Sequence, residues 1–118
     1  MKAHYDPLVD FDPKAIYNAI IKTGEDWADK NSAYQLLKET RDSVRSNLEA
    51  GHLKTDKSAA AAKVLAMADE IYREHVKAMV RAQKEADKAK VRYEATRVLG
   101  DMRRTQVSLL KEQVRNNS

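Results

Sequence analysis

The chain has 118 residues, a formal net charge of +4, and a composition that is 34% charged and only 6% aromatic. It has no cysteine, which excludes disulfides and thiol nucleophiles. No stretch is long and apolar enough to cross a bilayer, and the first twelve residues carry acids and a proline where a signal peptide carries an apolar core. A thin helical core under a wide solvated surface is the expectation, in a cytoplasmic protein with no membrane partner.

Charge is unevenly spread. Residues 1–51 hold seven Lys/Arg against nine Asp/Glu, and residues 52–118 hold fifteen against nine. The asymmetry suits electrostatic pairing within or between chains, and it also suits a basic helix that meets phosphate.

In chain order, residues 1–11 show no sustained period and are expected to form a flexible arm, with Leu8, Val9 and Phe11 able to dock it. Asp12-Pro13 is a helix start, the acid capping and the proline at the first helical position. A seam at spacings of three and four follows: Ile16, Ile20, Thr23, Trp27, Asn31, Tyr34, Leu37, Arg41, Val44, Leu48. Gly24 lies inside it, and Ser32-Ala33-Tyr34-Gln35 matches a capping box, so helices at about 13–30 and 32–50 are expected, or one helix with a kink. Gly51 is placed as the C-terminal stop. The main turn is Gly51 to Lys57, with Thr55, Asp56 or Ser58 capping the next element.

One long helix is expected over about 58–115, with Asp69-Glu70 either a local break or a polar face. Its seam reads Leu65, Ala68, Tyr72, His75, Met79, Ala82, Ala86, Ala89, Tyr93, Thr96, Gly100, Arg103, Val107, Leu110, Val114. That alternation averages 3.5 residues and keeps one face turned toward a partner helix. A continuous helix over this span is about 75 Å long at 1.5 Å per residue. Ala82, Ala86 and Ala89, and again Gly100, leave room for a close approach. The polar members His75, Thr96 and Arg103, with Asn31 and Arg41 of the first seam, select register and partner. The arginines are expected to reach out to water. No alternating β-branched run suggests a strand. The fold class is therefore all-α: a long helical hairpin or coiled-coil-like bundle with one very long C-terminal helix, a single helical domain over 12–118, expected to be a homo-oligomer.

Catalytic chemistry finds little support. His4, His52 and His75 form no metal-ligand spacing, and Glu70 and Glu74 do not share the helix face of His75. Phosphate loops and nucleophile elbows are absent, so no catalytic, metal or cofactor residue is expected. Between Arg73 and Arg104 there are ten Lys/Arg against five Asp/Glu. Lys77, Arg81, Lys84, Lys88 and Arg92 make a basic ridge beside the seam, the candidate nucleic-acid contact through phosphate. Tyr72 and Tyr93 lie on the apolar seam, which suits a core more than base stacking.

Tyr72-Arg73-Glu74-His75, Ala89-Lys90-Val91-Arg92-Tyr93-Glu94 and Arg103-Arg104 together resemble a group of small helical proteins of tailed bacteriophages, encoded among recombination and replication genes. The likeness covers roughly 58–115 and, more faintly, Trp27 to Leu48. It departs from the group between Gly100 and Leu110, where an aromatic or aliphatic residue near Gly100 is more usual. The resemblance implies a phage accessory or adaptor protein in host cytoplasm that binds a single-strand annealing protein, a nuclease or a DNA-binding protein, and it brings no catalytic residues. Direct non-specific DNA binding through the ridge, or inhibition of a host defence enzyme, is the alternative.

Overall fold

The computed structural model describes residues 12–55 and 57–117; the expected arm at 1–11 and the capping role considered for Asp56 lie outside them. Three helices follow in order: α1 (Pro13–Leu53), α2 (Ala59–Ala68) and α3 (Glu70–Asn116). Among the described residues there is no strand. At 47 residues, α3 is the longest element.

The start of α1 uses Asp12, whose Oδ1 accepts from the Lys14 amide at 3.1 Å. Where the sequence suggests two helices at about 13–30 and 32–50, α1 runs through both for 41 residues. A capping box stabilises amides that have lost their helical partner, and inside a continuous helix the amides near Ser32 keep theirs. Restarting a helix fixes three residues for a single bond, whereas propagation gains one bond per residue. Gly51 is likewise helical and does not stop α1. The stop comes two residues later, at Leu53, beyond which the Thr55 amide (3.1 Å) and hydroxyl (2.8 Å) both donate to the His52 carbonyl.

Ser58 caps α2, accepting from the Ala61 amide at 3.1 Å. The long helix expected over 58–115 is interrupted at Asp69, whose backbone is extended at φ −63°, ψ 139°. Asp69 ends α2 by donating its N–H to the Ala66 carbonyl, and it begins α3 by accepting from the Ile71 amide at 2.9 Å. One residue thus acts as cap on both sides, which a short carboxylate does well. The extended residue resets the helical phase. In α2 the buried residues are Ala62 and Ala66, whereas the seam extrapolated from α3 points to Leu65 and Ala68, both exposed.

By contacts the chain divides into two units. The first comprises Met1–Trp27 with Lys88–Ser118, the second Ala28–Asp87. In the first, α1 and α3 run antiparallel: Trp27 meets Tyr93, Asp26 meets Arg92, and Ile20 meets Gly100. In the second, His75 of α3 reaches the backbone of α1 at Leu37. Among the described residues the buried core is four alanines: Ala62, Ala66 and Ala86 in the second unit and Ala89 in the first. Alanine hides little apolar area, so close approach of backbones takes the place of large interdigitating side chains.

Ala86 is 3% exposed, and Ala95 is exposed. Ala86→Leu is expected to overpack its contact and lower stability by about 1–3 kcal/mol, while Ala95→Leu leaves the thermal midpoint nearly unchanged. Melts of the two variants, followed by circular dichroism, compare them directly; the reverse order would place the tight face elsewhere.

Candidate interaction surfaces

The covered face of α3 coincides with the three–four alternation from Tyr72 to Val107. Tyr72, His75, Met79, Ala82, Tyr93, Thr96, Gly100, Arg103 and Val107 are half-buried, and Ala86 and Ala89 are buried. The partner of this face is α1 of the same chain. Both ends of the long seam depart from it. Leu65 belongs to α2 and is exposed, and Leu110 (39% exposed) and Val114 (70%) lie uncovered. Within the first unit, α1 begins at Pro13, beside Arg103 and Arg104, so it supplies no side chain opposite the last turns of α3.

Two glycines acquire a packing reason. A Cβ on Gly24 would sit 3.1 Å from Tyr93 Cε1. That ring is stacked on Trp27, with centroids 5.6 Å apart, and its environment includes the Arg97 guanidinium 5.7 Å from the centroid. Lys90 Nζ lies 5.8 Å from the Trp27 ring. Gly100 plays the same part further along, where a Cβ would meet Ile20 Cδ1 at 3.3 Å. Gly24 is therefore what admits the Tyr93 ring against α1, where the sequence marks it only as a weak point.

The polar seam residues divide by partner. His75 Nε2 lies 2.7 Å from the Leu37 carbonyl, to which it donates, and 3.4 Å from Thr40 Oγ1. A cross-helix bond of this kind exists in one register only. Thr96 turns back on its own helix and donates to the Arg92 carbonyl at 2.8 Å.

The residues of the expected basic ridge are all exposed, and they fall in both units. In the second, Lys77 is engaged by Glu74 at 3.2 Å, while Arg81 and Lys84 point outward on the same face. In the first, Arg92 pairs across the helices with Asp26 at 3.5 Å, and Lys88 has a partner too. Both members of the Asp26–Arg92 pair are about half exposed, so it contributes at most about 1 kcal/mol. Arg92 is thereby drawn toward α1 and away from a shared ridge.

A surface that the alternation rule overlooks lies on the opposite side of α3. Within the first unit Val91, Val98, Met102 and Leu109 are spaced seven, four and seven residues apart, which places them on one face. They are between 48% and 65% exposed. The signal was readable in the sequence as a second period, half a turn from the first.

Among the described residues no group of three or more His, Asp or Glu side chains is arranged to hold a metal ion, and no helix is long and apolar enough to cross a membrane. Compared with known proteins, the chain matches no family model, no curated protein and no solved structure.

The glycines supply a direct check. Nothing lies within 4 Å of a Cβ built on Gly51, so Gly51→Ala should raise stability by up to about 1 kcal/mol through helix propensity alone. Gly24→Ala should instead lower the melting temperature, because the added Cβ would crowd Tyr93 Cε1 at 3.1 Å and that ring is already stacked on Trp27. A Gly24→Ala variant that melts above wild type would mean that the ring yields.

Proposed function

We propose that this chain is a non-enzymatic accessory protein of a tailed bacteriophage, working in host cytoplasm by binding other proteins, including further copies of itself. Its partner class is recombination or replication machinery, as the phage likeness suggests. The observation that carries the binding role is the outer apolar face of α3, from Val91 to Leu109, set against a core of four alanines. Isolated surface hydrophobics are ordinary, but a helical stripe of them is the form in which one helix meets another. The seam itself is already covered by α1, so assembly uses this outer face.

Sedimentation equilibrium is expected to give a mass that is a multiple of 13.4 kDa at micromolar concentration. Val98→Asp with Met102→Asp should shift it toward the single chain while helicity is retained. A strict monomer removes self-association. Affinity capture from infected cells should recover a DNA-processing protein, and recovery of none would count against the partner class.

Direct contact with DNA is a second reading, favoured by the outward-pointing Arg81 and Lys84. It predicts affinity that falls steeply with salt as counterions are released, and loss of binding in Arg81→Glu with Lys84→Glu. Unchanged mobility of labelled single- and double-stranded DNA at low salt eliminates it.

A further inference from the structure

The first unit contains a groove of about 370 Å³ between the start of α1 and the facing turns of α3. Its floor is apolar, formed by Ile16 and Ile20 of α1 where they pack against Gly100. Among the described residues its rim carries Arg97, Arg103 and Arg104 with one acid, Asp101, and Arg103 already has a partner. Asp101 is paired with Arg104, so these two exposed charges offset each other and Arg97 and Arg103 give the rim its excess positive charge. We propose that this groove is a docking site for an acidic peptide segment of a partner protein, one that presents an apolar side chain between carboxylates. The inference rests on the reading of the chain as a binding protein, and it is independent of self-association.

The volume lies at the lower end of the range of ligand pockets, suited to one or two large side chains. An apolar anchor buried against Ile16 and Ile20 removes from water a surface that α1 leaves open. Arginine favours a carboxylate partner, because its planar fork carries five N–H donors and pairs with two oxygens at once. A guanidinium engaged once, as Arg104 is by Asp101, retains donors for a second acid. Charge along this end agrees: residues 97–117 carry five Lys/Arg against two Asp/Glu. A nucleic acid fits less well. The Tyr93 ring is stacked on Trp27 with Arg97 beside it. The exposed Tyr17 ring lines the groove and a guanidinium also pairs with phosphate, but the floor of Ile16 and Ile20 takes an apolar side chain rather than a sugar.

The chain contains a segment of the required chemistry in its own sequence, Tyr5-Asp6-Pro7-Leu8-Val9-Asp10-Phe11-Asp12. A fluorescein-labelled peptide of that sequence is the probe, titrated into the full chain by fluorescence anisotropy at low salt. Saturable binding is expected, weakened about tenfold or more by Arg97→Glu with Arg104→Glu. A charge-matched control, Lys22→Glu with Lys38→Glu, should bind as wild type does. A probe with asparagine for each aspartate should bind poorly. Equal loss in the control and the rim variant reduces the effect to net charge and overturns the site. The titration is repeated on a full chain carrying Asp6→Asn, Asp10→Asn and Phe11→Ser, so that its own segment does not compete. Binding to neither chain overturns the proposal. Binding to this variant alone identifies the chain's own segment as the occupant and overturns the assignment to a partner. A single-stranded oligonucleotide that binds more tightly, and is lost in the same rim variant, overturns it in favour of nucleic acid. Loss of the peptide site leaves the outer face of α3 and its sedimentation result untouched, so the two failures are separable.

Discussion

Absent side chains govern how closely α1 and α3 pack in the first unit. Gly24 admits the Tyr93 ring, and Gly100 admits Ile20, so each helix is indented where the other projects. The arrangement is reciprocal: an aromatic from α3 enters α1, and an aliphatic from α1 enters α3. Helices that interlock in this manner do not need a thick core, because dispersion contacts grow quickly as two surfaces approach within van der Waals distance. Each glycine weakens its own helix by about 1 kcal/mol relative to alanine. The Trp27–Tyr93 stack, at 5.6 Å and 24° between planes, is the contact offsetting that loss at Gly24.

The second unit uses a different device. His75 donates to a backbone carbonyl of α1, that of Leu37, rather than to a side chain. A carbonyl within a helix already accepts from the amide four residues on, so the bond to His75 is additional. Its net contribution to stability is therefore modest, about 0.5–1.5 kcal/mol. Its contribution to register is larger. A slip of α3 along its seam by one turn carries His75 away from the Leu37 carbonyl, whereas Ala82 and Ala86, one turn apart on that face, replace one another with a smaller change in packing. Ala62, Ala66 and Ala86 hold this unit together without specifying it, and the histidine specifies it.

How much of this was legible beforehand differs from residue to residue. The spacing from Tyr72 to Val107 gives the face of α3 that is covered, because within one unbroken helix a period of three and four cannot drift far from its partner. It fails across Asp69, since a single extended residue rotates everything before it, and periodicity carries no knowledge of such a rotation. Leu65 and Ala68 are misplaced for that reason. Leu110 and Val114 fail for another: a pattern on one helix does not say where the opposite helix begins, and α1 begins at Pro13. Ser32-Gln35 and Gly51 have the local grammar of helix ends, yet α1 passes through both, because propagation outweighs a cap that would need amides already in use. The basic ridge was legible as composition; the Lys77–Glu74 pair follows from spacing on one helix, whereas the Arg92–Asp26 pair joins two helices and is not given by spacing.

What remains of α3 after its inner face is accounted for is the most informative part of the surface. A helix with apolar stripes on opposite sides cannot bury both against a single neighbour, and α1 occupies only one. Its outer stripe, from Val91 to Leu109, contains no charged residue at its four apolar positions, whereas the ridge positions are charged throughout. Two distinct chemistries therefore share α3: an uncharged stripe suited to another helix, and an arginine-rimmed groove suited to carboxylates. An uncharged stripe recognises by shape and binds many helices with similar strength. Under the proposed docking role, the arginine rim favours an acidic segment over an uncharged one. In the proposed reading, assembly and partner choice are separate tasks on separate faces of α3: Val98 and Met102 lie away from the indentations at Gly24 and Gly100, whereas the groove takes its floor from Gly100 and Ile20 and so shares one of them.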